Sequence, residues 1–194
     1  MSEPRNHTPP AVFHFDGQPV ALEPGDTILA ASQRAGHAVP HLCWNPDVTP
    51  SASCRVCTVH ADGRPVAACT TAATAGQRVS CHTPELKTHR LHLLQMLFVE
   101  GNHFCPGCEK SGNCQLQEQA AQAGMTDLHY EPLNPVRPVD ASHPDVLFEP
   151  DRCILCQLCV RASDELDGKQ VFALGGHGAG THLLINSASG QLGD

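Results

Sequence analysis

Apolar and polar positions alternate at the start of the chain. Val12 and Phe13 precede a turn at Asp16-Gly17, and Val20 and Leu22 follow it, which predicts a β-hairpin over residues 11–22. Gly25-Asp26-Thr27 then opens a short helix, ILAASQRA, that Gly36 ends. Two strand-like pieces come next, CTVH at 57–60 and PVAA at 65–68, joined by a turn at Ala61-Asp62-Gly63, and a last one, QRVS, covers 77–80. The period then lengthens. Leu86, Leu93, Leu94, Leu97 and Phe98 form a stripe of roughly helical spacing that predicts a helix over 86–99, with Thr83 as N-cap and Pro84 at its first position. A second helix is predicted from Cys114 through Gln122, ended by Gly124. Between Leu128 and Pro150, five prolines predict extended connecting chain without a regular element of its own. VFAL and HLLIN, flanking a glycine-rich stretch, predict a closing hairpin.

The strand–strand–helix–strand–strand order of residues 11–80 is that of a β-grasp ferredoxin, so an α+β fold is expected. Composition limits the core. The chain has 194 residues, of which only 4% are aromatic, so metal–ligand bonds are expected to supply much of the folding free energy. Eleven cysteines also suit a secreted disulfide scaffold. The opening MSEPRNHTPPAV, however, lacks the basic and apolar segments of an export signal, and no apolar run approaches the roughly 18 residues of a membrane span. A cytoplasmic protein without membrane contact is therefore expected. A formal charge of −8 argues against nucleic acid as a partner.

Ten of the eleven cysteines fall into three groups. The first is Cys43, Cys54, Cys57 and Cys69, with gaps of ten, two and eleven residues. Thiolates are soft ligands for iron–sulfur clusters, zinc or Cu(I), and four of them satisfy a [2Fe–2S] cluster, two to each iron. Asn45-Pro46, Thr49-Pro50 and Ser53 give the loop small or turn-forming residues that let backbone N–H groups approach the sulfurs. Zinc on the same four cysteines is the alternative, although zinc ribbons usually use two Cys-x-x-Cys knuckles and only one is present. Cys81 has no partner at a usable spacing and is expected to be an ordinary packed or exposed thiol.

The second group lies in EGNHFCPGCEKSGNCQLQ. Cys105, Cys108 and Cys114 can hold three corners of a [4Fe–4S] cube, and His103 is the nearest donor for the fourth iron. A neutral imidazole there lowers the negative charge and raises the cluster potential, as in Rieske centres. Gly107 and Gly112 suit a loop passing close to a cluster. The third group, Cys153, Cys156 and Cys159 in DRCILCQLCVRA, supplies three thiolates for a second [4Fe–4S] cluster. Bacterial ferredoxins place a fourth cysteine three residues on; here that position is Ser163. Truncation, a ligand from a partner or from another residue such as His177 or His182, and a [3Fe–4S] site all fit.

As a set these motifs resemble the N-terminal region of the large iron–sulfur subunit of respiratory complex I. GNHFCPGCEKSGNCQLQ and the short chain look most like the small iron–sulfur diaphorase subunits of cytoplasmic NAD-reducing [NiFe] hydrogenases. One departure is visible: three residues separate the histidine from the first cysteine in complex I and the iron-only hydrogenases, whereas only Phe104 does here. The resemblance implies a fourth cysteine roughly forty residues after the third group, which makes truncation the favoured reading. It also implies an electron relay with two kinds of partner, an FMN/NAD-binding diaphorase subunit and the [NiFe] hydrogenase small and large subunits. In that picture the third cluster faces the hydrogenase, the histidine-ligated cluster follows, and the [2Fe–2S] centre lies toward the flavin.

The expected organisation is thus a [2Fe–2S] ferredoxin-like domain over 1–82, a histidine-ligated [4Fe–4S] domain over 83–130 and an incomplete [4Fe–4S] ferredoxin-like segment over 131–194. GGHGAG at 175–180 does not fit the dinucleotide fingerprint, because Thr181 stands where the last glycine belongs, and it reads as a hairpin turn. No P-loop or nucleophile elbow occurs, nor the paired Cys-x-x-Cys motifs of nickel–iron centres. No residue is therefore assigned to catalysis, to NAD or to FMN. Two other readings stand beside the hydrogenase relay: the iron–sulfur subunit of an NAD-dependent formate dehydrogenase or complex I-like enzyme, and a zinc-binding scaffold without redox activity.

Overall fold

The computed structural model describes residues 11–193. The opening stretch read above for an export signal lies mostly outside them. Strands β1 (Val12–Phe15) and β2 (Gln18–Ala21) form the first hairpin, followed by helix α1 (Ile28–Arg34). β3 (Thr58–Ala61) and β4 (Arg64–Ala67) form a second hairpin, and β5 (Arg78–Ser80) completes a five-stranded sheet ordered β2-β1-β5-β3-β4. Only the β1–β5 pair is parallel. The expected strands and first helix are present, displaced by a residue at most at their ends.

Side chains of alternating strand positions meet α1 in one core. Phe13, Phe15, Val20, Ile28, Leu29, Ala31, Val59 and Val79 are all but sealed from solvent. Thr27 caps α1 by accepting from the Ala30 N–H at 3.2 Å, and Gly36 takes the left-handed φ of +82° beyond its end.

Helix α2 (Pro84–Glu100) begins as predicted, with the Leu86 N–H donating to Thr83 Oγ1 at 3.2 Å. Its buried face is Leu86, Arg90, Leu94, Gln95 and Val99, so two polar residues sit in the stripe that sequence assigned to leucines. Helix α3 (Gln115–Ala123) ends at Gly124, φ +79°. A second apolar cluster of Leu42, Val56, Leu94, Leu116 and Ala123 joins the first domain to α2 and α3, and Cys54, Cys114 and Ile154, one from each cysteine group or its loop, pack against it.

Residues 128–150 run extended, with a single bridge at Asp140–Phe148, as their prolines foretell. A 3₁₀ turn at Pro150–Arg152 leads into the third cysteine group, whose short helix α4 (Leu158–Arg161) continues as a π turn over Ala162–Leu166. β6 (Phe172–Gly175) and β7 (His182–Ile185) pair antiparallel, so 175–180 is the hairpin connection expected. Among the described residues, no helix is long and apolar enough to cross a membrane.

Candidate iron–sulfur sites

The first group of cysteines lies at the rim of the sheet. Cys43, Cys57 and Cys69 are buried and Cys54 is half-buried. Their thiols interact in two pairs. The Cys54 thiol, helped by the Cys54 and Ser53 amides, holds Cys43 down at a pKa of about 5 against the opposing effect of burial. Cys54 is pushed up correspondingly by Cys43 and by burial. Cys57 is likewise raised by Cys69, and Cys69 lowered by Cys57. Four thiols gathered here match the four thiolates that a two-iron cluster asks for. The Cys54 N–H donates to Cys43 Sγ at 3.4 Å. Ala52 (φ +54°) and Arg55 (φ +58°) hold this loop in left-handed backbone without being glycine, a strain of about 1–2 kcal/mol each.

Arg90, which sequence did not single out, fastens this site to α2. Its guanidinium is buried and donates to the carbonyls of Val56 (3.1 Å), Thr58 (2.8 Å) and Cys81 (2.9 Å), and to Cys81 Sγ (3.3 Å). Cys81 is the packed thiol of the two possibilities foreseen, and burial lifts its pKa to about 11.

His103, Cys105, Cys108 and Cys114 line one cavity of about 270 Å³, walled by Leu42, Phe98 and Ile154 among others. The shortened His-to-Cys spacing therefore does not carry the imidazole away. His103 Nε2 is buried without a hydrogen-bond partner. An orphaned ring nitrogen on a residue that shares its cavity with three thiols fits a ligand whose other nitrogen is held by backbone, here that of Leu97. Burial lowers the His103 pKa below its ordinary value of 6.5. Gly101 explains how the ring fits: a Cβ there would overlap His103 Nε2 and lie 2.7 Å from the Asp151 carbonyl. Of the two glycines expected beside a cluster, Gly112 takes a left-handed φ of +82°, whereas Gly107 lies against the Phe104 ring.

In the third group Cys153 and Cys156 are half-buried and Cys159 is exposed. Leu155 (φ +52°) and Gln157 (φ +61°) are again left-handed non-glycines, and the Leu155 N–H points at Cys153 Sγ, 3.4 Å away. Turns of this kind aim amides at an anion. Ser163 is buried and engaged elsewhere, its Oγ accepting from the Val171 N–H at 2.6 Å. His177 is exposed, and His182 Nδ1 lies 2.9 Å from the Gly180 carbonyl. Neither is drawn into the group, although His182 and Cys153 line a common cavity of about 250 Å³.

The third group touches both others. Arg161 links it to the first through the carbonyls of Cys156 (3.2 Å) and Cys43 (2.6 Å). Burial chiefly pushes the Cys156 thiol up, with the charges of Cys153 and Cys43 adding to it. Toward the second group, Cys156 lines the His103 cavity and Arg152 Nη1 lies 3.5 Å from Cys108 Sγ. Among the described residues, no three His, Cys, Asp or Glu side chains form a group suited to a single metal ion. A cluster instead spreads its thiolates over two or four irons.

This fold and these thiol groups define an iron–sulfur electron-transfer protein of the ferredoxin type. Residues 9–84 match a family described as a 2Fe-2S iron–sulfur cluster binding domain, and residues 90–129 match the NADH-ubiquinone oxidoreductase-G iron–sulfur binding region. The chain is 37% identical to the gamma chain of the NAD-reducing hydrogenase HoxS of Cupriavidus necator, over 89% of this chain and 74% of that one. It is 30% identical to the alpha chain of the NADPH-Fe(3+) oxidoreductase of Geobacter sulfurreducens, over 91% of this chain and 21% of that one. A chain in the crystal structure of NAD+-reducing [NiFe]-hydrogenase in the H2-reduced state superposes with a TM-score of 0.92 at 49% identity, over 95% of this chain and 78% of that one. The chain belongs to the family of iron–sulfur gamma chains of NAD-reducing hydrogenases.

Proposed function

We propose that this chain relays electrons between a [NiFe] hydrogenase module, where H2 is oxidised, and an FMN/NAD diaphorase module, where NAD+ is reduced. In this reading Cys43, Cys54, Cys57 and Cys69 hold a [2Fe–2S] cluster. His103, Cys105, Cys108 and Cys114 hold a [4Fe–4S] cluster, and Cys153, Cys156 and Cys159 hold three irons of another. When bound, such clusters supply one-electron redox centres whose potentials are set by hydrogen bonds, charge and burial. The residues do the rest. The Cys54 and Leu155 amides donate toward sulfur, Arg152 and Arg161 bring positive charge to the ligand loops, and Leu42, Phe98 and Ile154 give the His103 side an apolar wall.

The observation that carries the reading is the contact of the third ligand set with both others. It supports a spatial order of first, third, second, with the third set in the middle. That order differs from the one implied by resemblance, in which the third set stands at the hydrogenase end. The exposed Cys159 still leaves the middle set open on one side.

Iron and acid-labile sulfide analysis of the purified holo-complex tests the assignment. About ten irons per chain are expected from one two-iron and two four-iron clusters, together with EPR signals on reduction and nickel in the complex. Molybdenum or tungsten in place of nickel would transfer the relay to a formate dehydrogenase. A colourless, zinc-loaded chain would end it.

A further inference from the structure

We propose that Arg161 is a positioning residue for electron transfer between the first and third ligand sets, one that fixes their separation and raises the affinity of both for an electron. The inference rests on the ligand assignment proposed above. A single nitrogen, Nη2, donates to the carbonyl of Cys43 at 2.6 Å and to that of Cys156 at 3.2 Å, so one candidate ligand from each set is held by the same atom. Nη1 donates to the Thr49 carbonyl at 2.6 Å and Nε to that of Gln157 at 3.2 Å. All four acceptors lie in or beside the two cysteine loops. Glu165 adds a second tie, accepting from the Thr49 N–H at 2.7 Å, and Ser53 Oγ a third, donating to the Leu155 carbonyl at 3.3 Å. Only the arginine carries a positive charge among these ties.

That charge is unusual in its setting. Arg161 is 9% exposed, and among the described residues it forms no ion pair with a carboxylate. A guanidinium keeps its proton in proteins, and a buried cation is costly unless compensated. Carbonyl dipoles solvate it here, and the thiolate loops on either side supply the opposite charge. Each electron arriving at either site adds negative charge beside this fixed cation, which favours the reduced state of both. One electron leaves one site and reaches the other, and no bond forms or breaks. The planar fork matters as much as the charge: its three nitrogens hold four carbonyls, two on each loop, and an ammonium with three N–H donors on one atom cannot hold all four.

The test is a redox titration of the purified complex followed by EPR, giving the midpoint potential of each centre and the spin–spin coupling between the first and third. In an iron-complete Arg161→Gln variant both midpoints are expected to shift to more negative values, with the signal of the His103 site unchanged. In Arg161→Lys, which retains the charge, the midpoints stay near those of the parent while the coupling weakens or broadens. An iron-complete Gln variant with parental midpoints, or a Lys variant with parental coupling, overturns the proposal. Should the Gln variant lose iron, the Lys variant alone decides. Loss of iron from both overturns the proposal in favour of a plain folding role. A parent complex without a [2Fe–2S] signal would sink the ligand assignment itself, an outcome these variants do not produce.

Discussion

Around the first group of cysteines the chain builds a sheet and a core of its own; around the other two it builds turns. Cys57 and Cys69 belong to one buried core with Val59, Ala68, Phe13, Phe15, Ile28 and Leu29, and Cys43 is buried as well. His103 through Cys114 and Cys153 through Cys159 occupy 3₁₀ turns, loops and a four-residue helix, with no cysteine fully buried. In the first region burial of apolar surface, roughly 25 cal/mol per Å², can hold the fold without metal. In the second, thiols and an orphaned imidazole border only the small cluster of Leu42, Val56, Leu94, Leu116 and Ala123 and have no sheet of their own, so ligation supplies more of the cohesion. The contrast qualifies the expectation that clusters stabilise the whole chain.

Stripping the iron breaks the comparison most directly. Amide exchange in β1, β3 and β5 is expected to stay slow in the apo-chain, while protection over 101–114 and 150–160 falls toward the level of frayed loops. Uniform loss, or uniform retention, would show that the two regions do not differ as argued. Next in size is Arg90→Ala. It strands the Val56, Thr58 and Cys81 carbonyls in the interior and is expected to destabilise the first region by about 3–5 kcal/mol, read as a lowered denaturation midpoint. Gly101→Ala acts on the second region. The added methyl must displace the His103 ring or the Asp151 carbonyl, at about 1–3 kcal/mol, and the EPR signal of the His103 site should change while that of the first site does not.

The smallest effect belongs to the surface of the first region. Arg34 lowers the Asp26 pKa below its ordinary value of 3.8 through a hydrogen-bonded ion pair at 2.5 Å. A depressed carboxylate contributes stability above the ordinary pKa and loses it as pH falls through the lowered one. Asp26→Asn should therefore cost under about 1 kcal/mol near neutrality. The gap from the parent in denaturation midpoint should close as the pH drops below 3.8. A gap that widened in acid would contradict the sign.

What could be read from sequence is what depends on neighbours along the chain. The turns at Asp16-Gly17 and Asp62-Gly63, the caps at Thr27 and Thr83, and the endings at Gly36 and Gly124 all follow from backbone preferences of a few residues. The three cysteine groups were legible for the same reason, since a cluster draws most of its ligands from one short loop. Tertiary structure alone decided which groups lie side by side: Arg161 and Cys43 are 118 positions apart in sequence, Arg152 and Cys108 are 44, and no local preference joins them. Arg90 and Gln95 escaped notice because a polar residue in an apolar stripe reads as a surface position until its backbone acceptors are known. Ala52, Arg55, Leu155 and Gln157 carry no glycine signature, because their left-handed backbone is imposed by the loops they sit in rather than by their own side chains. Chain-local preferences are encoded residue by residue, whereas the partners of a buried charge or a strained peptide exist only once distant segments have packed.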